Sequence, residues 1–379
     1  MKGRQKEVRA VEENRLLADS PVNRGRQLEL DIIKGLAILF MLLVHCLECF
    51  IELPWEPTWA NRLIYFLGCP PAAPVFMFAL GVGLVYSRKN SPRDLAVRGL
   101  RILLLGYVLA FFRDFLSMYV LYLRTGSAAE LAKGVNEFLG VDILPFAGLT
   151  FLFFAGAAKL RFQSWHYAAA ALLGAATNML LYPTSFSSPV LNHIGGLIWG
   201  TSEYSWFPFL TWITYPILGY LFGQLLIRCR DKTRLYKICL WVSLPAVLAG
   251  GLLYRHYGLY FGWEDYHHTG AYWHHNLLGN LLFASFVVAW TSLAYFAAAK
   301  LPEVVVKTLS RWSRNITVMY VIHWMIVSWS IVVLPLPFTL PWILAYFVVL
   351  VPVTDAAAVG YLALKGRLFP RAPAGRAAA

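Results

Sequence analysis

Charged residues are scarce in this 379-residue chain, making up 14% of it against 59% hydrophobic residues. A soluble domain carries roughly 25% charged residues, so this composition excludes an ordinary soluble protein. Long apolar runs take the place of charge, and a run of about 20 residues can cross the hydrocarbon core of a bilayer. The chain is therefore predicted to be an all-α, polytopic integral membrane protein.

Cysteine is also scarce, and the sequence has no internal repeat. The five cysteines are an odd number, which argues against a disulfide framework. The string "CLEC" in the first apolar run is expected to hold buried thiols, with a redox or metal role as the alternative. No small-residue cleavage site follows that run, so we expect a retained helix and not a signal peptide. The lack of a repeat argues against the inverted-repeat architecture of many secondary transporters.

About ten transmembrane helices are expected, forming a domain over residues 30–364 between an N-terminal tail (1–29) and a C-terminal tail (365–379). The predicted spans are roughly 31–51, 62–86, 99–123, 142–158, 166–182, 207–227, 236–254, 276–299, 314–334 and 338–363.

The excess of basic residues follows from this topology. A net charge of +13 would suggest nucleic acid in a soluble protein. However, 28 of the 33 Lys and Arg residues fall in the two tails, the even-numbered loops and the span ends beside them. The positive-inside rule then predicts that both termini are cytoplasmic, in a cell (inner) membrane. No nucleic-acid partner is expected.

The first span, "DIIKGLAILFMLLVH", carries Asp31, Lys34 and His45. Eleven helical steps bring Lys34 and His45 onto one face, about 16 Å apart along the axis, and Asp31 lies one turn before Lys34 on nearly the same stripe. Lys34 could simply extend to the interface. His45 would lie deeper, where an unused imidazole carries a desolvation cost, so it is the stronger functional candidate.

Three further ionisable residues lie in or beside spans. Arg113 and Asp114 come halfway along the third span, where adjacent side chains point about 100° apart and need not pair. Asp142 opens the fourth span, where an N-cap role competes with a role inside the bundle.

Two predicted outer loops hold polar and aromatic residues that suit acceptor binding. One contains His193, Glu203 and Trp206, and the other, "RHYGLYFGWEDYHHTGAYWHHN", contains five histidines including His275. Aromatic rings among polar groups suit carbohydrate stacking, while a plain interfacial loop is the commoner alternative. A zinc site at the histidines is conceivable, but no familiar ligand spacing is present, and no metal is expected.

Several stretches together resemble a known superfamily. "ELDIIKGLAILFMLLVH" resembles the first span of membrane acyltransferases, which include the acyltransferase type 3 family and the heparan-alpha-glucosaminide N-acetyltransferase family. "PVFMFALGVGLVYSR" and "YSWFPFLTWITYPILGYLFG" resemble the heparan-type branch, and "SRNITVMYVIH" resembles a segment near the C-terminus of both. Lys34 stands where the type 3 family has Arg, so a Lys point charge replaces a planar fork at a phosphate contact.

The resemblance implies an enzyme that moves an acyl group, acetyl first, from cytosolic acyl-CoA to a hydroxyl or amine of a glycan or lipid-linked sugar at the outer face. His45 would be base or nucleophile, with second-rank roles for Asp142, Tyr320 and His323. The expected donor-binding residues are Lys34, Asp31, Arg98, Arg101 and Arg113. The expected acceptor-binding residues are His193, Glu203, Trp206 and His275. A homodimer is suggested by Gly219 and Gly223, which are spaced for close helix packing. The alternative function is secondary transport of a small anionic solute.

Overall fold

The computed structural model describes residues 15–51, 58–201, 204–257 and 272–369. These residues form α-helices and one π-helical turn, Phe111–Phe115, and within them β-pairing is limited to two isolated bridges. The α-helices are α1 (Leu28–Phe50), α2 (Trp59–Gly68), α3 (Ala73–Tyr86), α4 (Pro92–Ala110), α5 (Leu116–Thr125), α6 (Ala128–Phe138), α7 (Ile143–Lys159), α8 (Ser164–Leu181), α9 (Pro189–Ile198), α10 (Phe209–Trp212), α11 (Thr214–Arg228), α12 (Lys232–His256), α13 (Leu277–Ala298), α14 (Glu303–Arg314), α15 (Ile316–Val333) and α16 (Leu340–Leu368).

Short polar side chains fix where several of these helices begin. Ser91, Asp142 and Asn276 each precede a helix and accept a hydrogen bond from a backbone amide of its first turn. Such caps satisfy N–H groups that have no partner within the helix. Asp142 therefore has the N-cap role that was one of its two alternatives, and this role fixes the carboxylate at the start of α7.

Helix α1 lies at the centre of the bundle. Its apolar side chains from Ile32 to Phe50 are buried against α2, α3 and α13 to α16. Gly35 lets α14 cross α1 closely, since a Cβ at this position would lie 2.7 Å from the Leu309 Cα. The first span predicted from sequence is thus the axis around which the other elements pack, and α14 covers its Lys34 end.

The expected polytopic helical fold is confirmed. In the described residues, nine stretches are long and apolar enough to cross a membrane, against the ten expected. The difference is α8, whose 18 residues include Trp165, His166 and Asn178. These polar and interfacial residues lower the mean hydropathy of α8.

Helix α8 nevertheless runs antiparallel to α11 at the same depth. Ser164 Oγ lies 3.3 Å from Gln224 Oε1 near the end of α11, and a Cβ at Gly174 would lie 3.3 Å from the Leu210 carbonyl oxygen before its start. The helix is about 27 Å long, close to the thickness of the hydrocarbon core. The placement of both termini on one side depends on whether α8 crosses, and it stays a prediction.

Glycines allow α3 and α11 to pack at backbone contact. A Cβ at Gly81 would overlap the Pro216 carbonyl oxygen, and one at Gly219 would overlap that of Phe78. Gly223 of α11 faces Val82 and Val85 of α3. The Gly219 and Gly223 pair therefore packs within the chain, which removes the reason for expecting a homodimer.

Substitution at this crossing should destabilise the bundle. Gly219→Ala is expected to lower the free energy of unfolding by about 1–3 kcal/mol, because the added methyl forces two backbones apart. Gly251→Ala is the control, since a Cβ there meets nothing within 4 Å, and it should stabilise α12 by about 0.5–1 kcal/mol. Thermal unfolding of the purified protein measures both. Equal stabilities for the two variants would contradict the backbone contact.

Candidate functional site

Two histidines from the ends of the sequence meet in the bundle. His45 Nδ1 of α1 lies 3.0 Å from His323 Nε2 of α15. The two ring planes lie within 8° of each other, and the ring centroids are 5.2 Å apart. His323 is fully buried, whereas His45 is only partly buried. The pair thus has one fully buried member and one partly buried member.

A carbonyl group determines which nitrogens of the pair carry protons. His323 Nδ1 lies 3.1 Å from the Met319 carbonyl oxygen, which can only accept a hydrogen bond. Nδ1 of neutral His323 therefore carries the proton, and its Nε2 is the acceptor. His45 must then donate through Nδ1, so a lone pair remains on His45 Nε2. This tautomer is the one a general base or nucleophile requires.

An aromatic ring connects His45 with a buried cation. The Trp324 ring stacks on His45 with centroids 4.1 Å apart. The Arg113 guanidinium lies 4.5 Å from the centroid of the same ring. A cation over an indole is a favourable contact, more so away from water. Trp324 therefore contacts both Arg113 and His45, and its contact with His45 helps to orient the imidazole ring.

Two carboxylates neutralise Arg113. Its Nε and Nη2 donate to Asp114 at 2.7 and 2.8 Å, and its Nη1 donates to Asp142 Oδ2 at 2.5 Å. Tyr320 donates to the same Oδ2 at 2.6 Å. The adjacent Arg113 and Asp114 do pair, and they do so within the π-helical turn, a distortion common at functional sites.

A cavity of about 400 Å³ approaches this cluster from the Lys34 side of α1. Its cationic lining residues are Lys34, Arg98 and Arg314, and no acidic residue lines it in the described part of the chain. Apolar residues of α3, α4 and α7 form most of the remaining wall. Met41 and Tyr320 also line it, and each lies one helical turn before a member of the histidine pair.

A second, surface cavity of about 510 Å³ adjoins the first. It is lined by Ser87, Arg88, Lys89, Arg93, Asp94, Val97, Arg98 and Arg101. Arg98 belongs to both cavities, and its guanidinium lies 4.4 Å from the centroid of the Phe151 ring. A basic groove therefore leads into a mainly apolar cavity, a combination that suits a ligand with an anionic head and a less polar arm.

The residues expected to bind the donor fall in three places. Lys34 and Arg98 line the cavity of about 400 Å³, called the inner cavity below, and Arg101 lines the basic groove. Arg113 instead belongs to the buried ion-pair cluster. Asp31 is buried beside Lys34, with 3.5 Å between Oδ1 and Nζ. The sequence did not single out Trp324 or Arg314, although "RWSRN" before the last-but-one span offered a signal for Arg314.

The described residues expected to bind the acceptor differ in their surroundings. His275 is 3% exposed, and its Nε2 lies 2.6 Å from Tyr215 Oη while Nδ1 lies 2.7 Å from the Tyr272 carbonyl. Burial lowers the pKa of His275 to about 4, so the imidazole is neutral at pH 7. Its contacts with Tyr215 and Tyr272 give it a structural role.

His193 Nε2 lies 2.8 Å from Tyr107 Oη on α4, and burial lowers its pKa below the ordinary value. Trp206 is half-buried against the core. Glu203 lies outside the described residues, as do His267 and His268 of the conceivable zinc site.

Comparison with known proteins identifies the family. A family model described as heparan-alpha-glucosaminide N-acetyltransferase, catalytic, matches residues 26–251, more than half of the chain. The chain belongs to this family. No curated protein matches it. The match covers His45, Lys34, Arg98, Arg113 and Asp142, and it supports the heparan-type branch of the resemblance; the acyltransferase type 3 branch stays a prediction. Membership indicates acyltransferase activity in a multi-pass membrane protein.

The ion-pair cluster should be essential to the fold of this acyltransferase. Arg113→Leu is expected to lower the free energy of unfolding by about 3–5 kcal/mol, because it leaves two carboxylates buried without their cation. Arg311→Leu is the control: it breaks a half-exposed pair with Asp355 and should cost at most about 1 kcal/mol. Thermal unfolding in detergent distinguishes the two. A tolerated Arg113→Leu would mean that the carboxylates are not charged partners of the arginine.

Proposed function

We propose that the protein transfers an acyl group, acetyl first, from cytosolic acyl-CoA to an amine or hydroxyl of a glycan or lipid-linked sugar at the outer face of the cell membrane. Family membership supports the acyl transfer. The observation that carries the donor assignment is the lining of the inner cavity. Lys34, Arg98 and Arg314 supply cations, and Met41 and Tyr320 each lie one helical turn before a member of the histidine pair.

The basic groove fits the donor's phosphates. Arg88, Lys89, Arg93 and Arg101 surround it, and anionic groups are attracted to such a concentration of cations. Arg98 would hold the point at which the donor passes from the groove into the cavity, with its guanidinium fixed over Phe151. The less polar arm and the thioester would then extend along the apolar wall towards Met41 and Tyr320.

The histidine pair supports general-base chemistry. His45 Nε2 takes the proton from the acceptor's O–H or N–H as that oxygen or nitrogen attacks the thioester carbonyl carbon. The carbon–sulfur bond then breaks, and the departing thiolate takes the proton from His45. Through its Nδ1–H bond to His323 the ring keeps its orientation while its charge changes. His323 is thus a positioning residue.

An acyl-histidine route uses the same atoms in a different order. His45 Nε2 attacks the thioester, and the thiolate leaves. The acceptor then displaces the acyl group from the imidazole nitrogen, and the acceptor's proton passes to the imidazole and from there to water. The two routes differ in whether CoA is released before the acceptor binds. Release of one CoA per protein in the absence of acceptor would favour the second route.

The acceptor side rests on less specific features. The matched family is described as acting on an alpha-glucosaminide, so an amino sugar is the first acceptor to test. Tyr107 and His193 form a polar pair near Phe138, and such a polar group beside an aromatic ring suits a sugar.

Lys34 should act on donor binding and not on chemistry. Lys34→Arg is expected to retain or improve use of acetyl-CoA, whereas Lys34→Glu should raise its apparent KM about tenfold or more with a smaller change in kcat. Lys307→Glu makes the same charge change on an exposed residue of α14 paired with Glu303 and should have little effect. Unchanged donor kinetics in Lys34→Glu would leave only an interfacial role for this lysine.

His45 should carry the chemistry. His45→Gln keeps much of the size and hydrogen bonding of the residue but cannot act as an efficient base, so transfer should fall by about 10²–10⁴-fold. Binding of CoA and thermal stability should change little. His256→Gln, at an exposed position at the end of α12, is the control. A His45→Gln protein that acetylates amino sugars at a near-normal rate would show that the histidine is a packing residue.

A further inference from the structure

A buried carboxylate lies beside one of the cations of the inner cavity. Asp31 accepts the Ser313 hydroxyl on Oδ1 at 2.6 Å, and Lys34 Nζ lies 3.5 Å from the same oxygen. Oδ2 accepts Arg26 Nε–H in a short ion pair. Arg26 does not line the cavity, but it touches the carboxylate that does most to offset the charge of Lys34.

This arrangement has an electrostatic consequence for any anion that binds at Lys34. An unneutralised Asp31 would offset the lysine's charge and would repel a phosphate, because charges a few ångströms apart interact strongly where water is excluded. The charge of Arg26 cancels that of Asp31, so the positive charge of Lys34 remains available to the ligand. Arg26 is half-exposed, so it can carry its charge without the burial cost that a further lining cation would have.

We infer that Arg26 is a charge-compensating positioning residue for the donor site: it neutralises Asp31 so that Lys34 can bind the phosphates of acyl-CoA. The inference rests on the proposed function, since it concerns the same donor. It also reassigns Asp31, whose two oxygens are engaged by protein groups, from a donor contact to a residue that orients Lys34.

A purely structural role for Arg26 makes a different prediction. Arg26 Nη2 donates to the Ser310 carbonyl at 3.1 Å. The segment before it is bound to the end of α11 through the amides of Ala18, Val22 and Asn23. If Arg26 only fastened this segment, removing Asp31 as well could not restore what Arg26→Ala had lost. The two roles are therefore separated by a double variant.

The experiment measures binding of coenzyme A to the purified full chain by calorimetry at low salt. Arg26→Ala should weaken binding about fivefold to twentyfold, because Asp31 then opposes Lys34. Arg26→Lys keeps the charge but not the planar fork, and it should stay within about twofold of the unsubstituted protein. Arg26→Ala with Asp31→Asn should return to within about twofold, since the variant loses both charges of the pair.

A neighbouring ion pair supplies a matched control. Arg311 and Asp355 have side-chain exposures of 43% and 17%, against 47% and 7% for Arg26 and Asp31, and neither lines the cavity. Arg311→Ala, with or without Asp355→Asn, should leave coenzyme A binding unchanged. Thermal unfolding of each variant shows whether it is folded.

Each other result would overturn a specific claim. Two results would overturn the compensating role of Arg26 and leave the proposed function in place. One is normal binding of coenzyme A by the Arg26→Ala protein. The other is a folded double variant that binds coenzyme A as weakly as the Arg26→Ala protein does. An unsubstituted protein that binds no coenzyme A would overturn both.

Discussion

An ion inside a bilayer must have its counter-ion beside it, and this constraint organises the centre of the bundle. Arg113 is held by two carboxylates that come from the π-helical turn and from the start of α7. Tyr320 of α15 binds Asp142, one of these carboxylates. Separate segments therefore meet at a single charge cluster. Trp324 lies against both Arg113 and His45. The geometry of the proposed base therefore depends on the ion pairs of Arg113.

Much of the fold follows from hydrophobicity and helical spacing alone. Apolar runs of about 20 residues predict the spans because backbone groups in lipid must be satisfied within a helix. The rule also predicted α8, a helix that runs beside α11 and whose polar residues make it less apolar than the nine candidate spans. Spacing along the first span also predicted a shared face for Lys34 and His45, which stays a prediction because Lys34 lines the inner cavity and His45 does not. Local pattern is sufficient to predict the spans because each depends on a single helix.

Contacts between distant elements could not be predicted in this way. His45 and His323 are 278 residues apart in the chain, and no sequence period relates them. The tautomer of the pair depends on the Met319 carbonyl, a backbone group that every residue has. The face of Gly219 was mistaken for a dimer contact because a small-residue spacing does not say which helix it meets. Such features depend on tertiary packing, which a single sequence reveals only through resemblance to a family.

The central claim is that one histidine pair joins a donor from the cytoplasmic side to an acceptor on the other side. Protein reconstituted into vesicles in one orientation tests it most directly, with labelled acetyl-CoA supplied only on the side of the basic groove and an amino-sugar acceptor only on the other. The account predicts labelled acceptor in the compartment opposite the donor, free CoA remaining with the donor, and neither product in the His45→Gln protein. Labelled acceptor formed only when donor and acceptor share a compartment, or formed equally well by the His45→Gln protein, would contradict it.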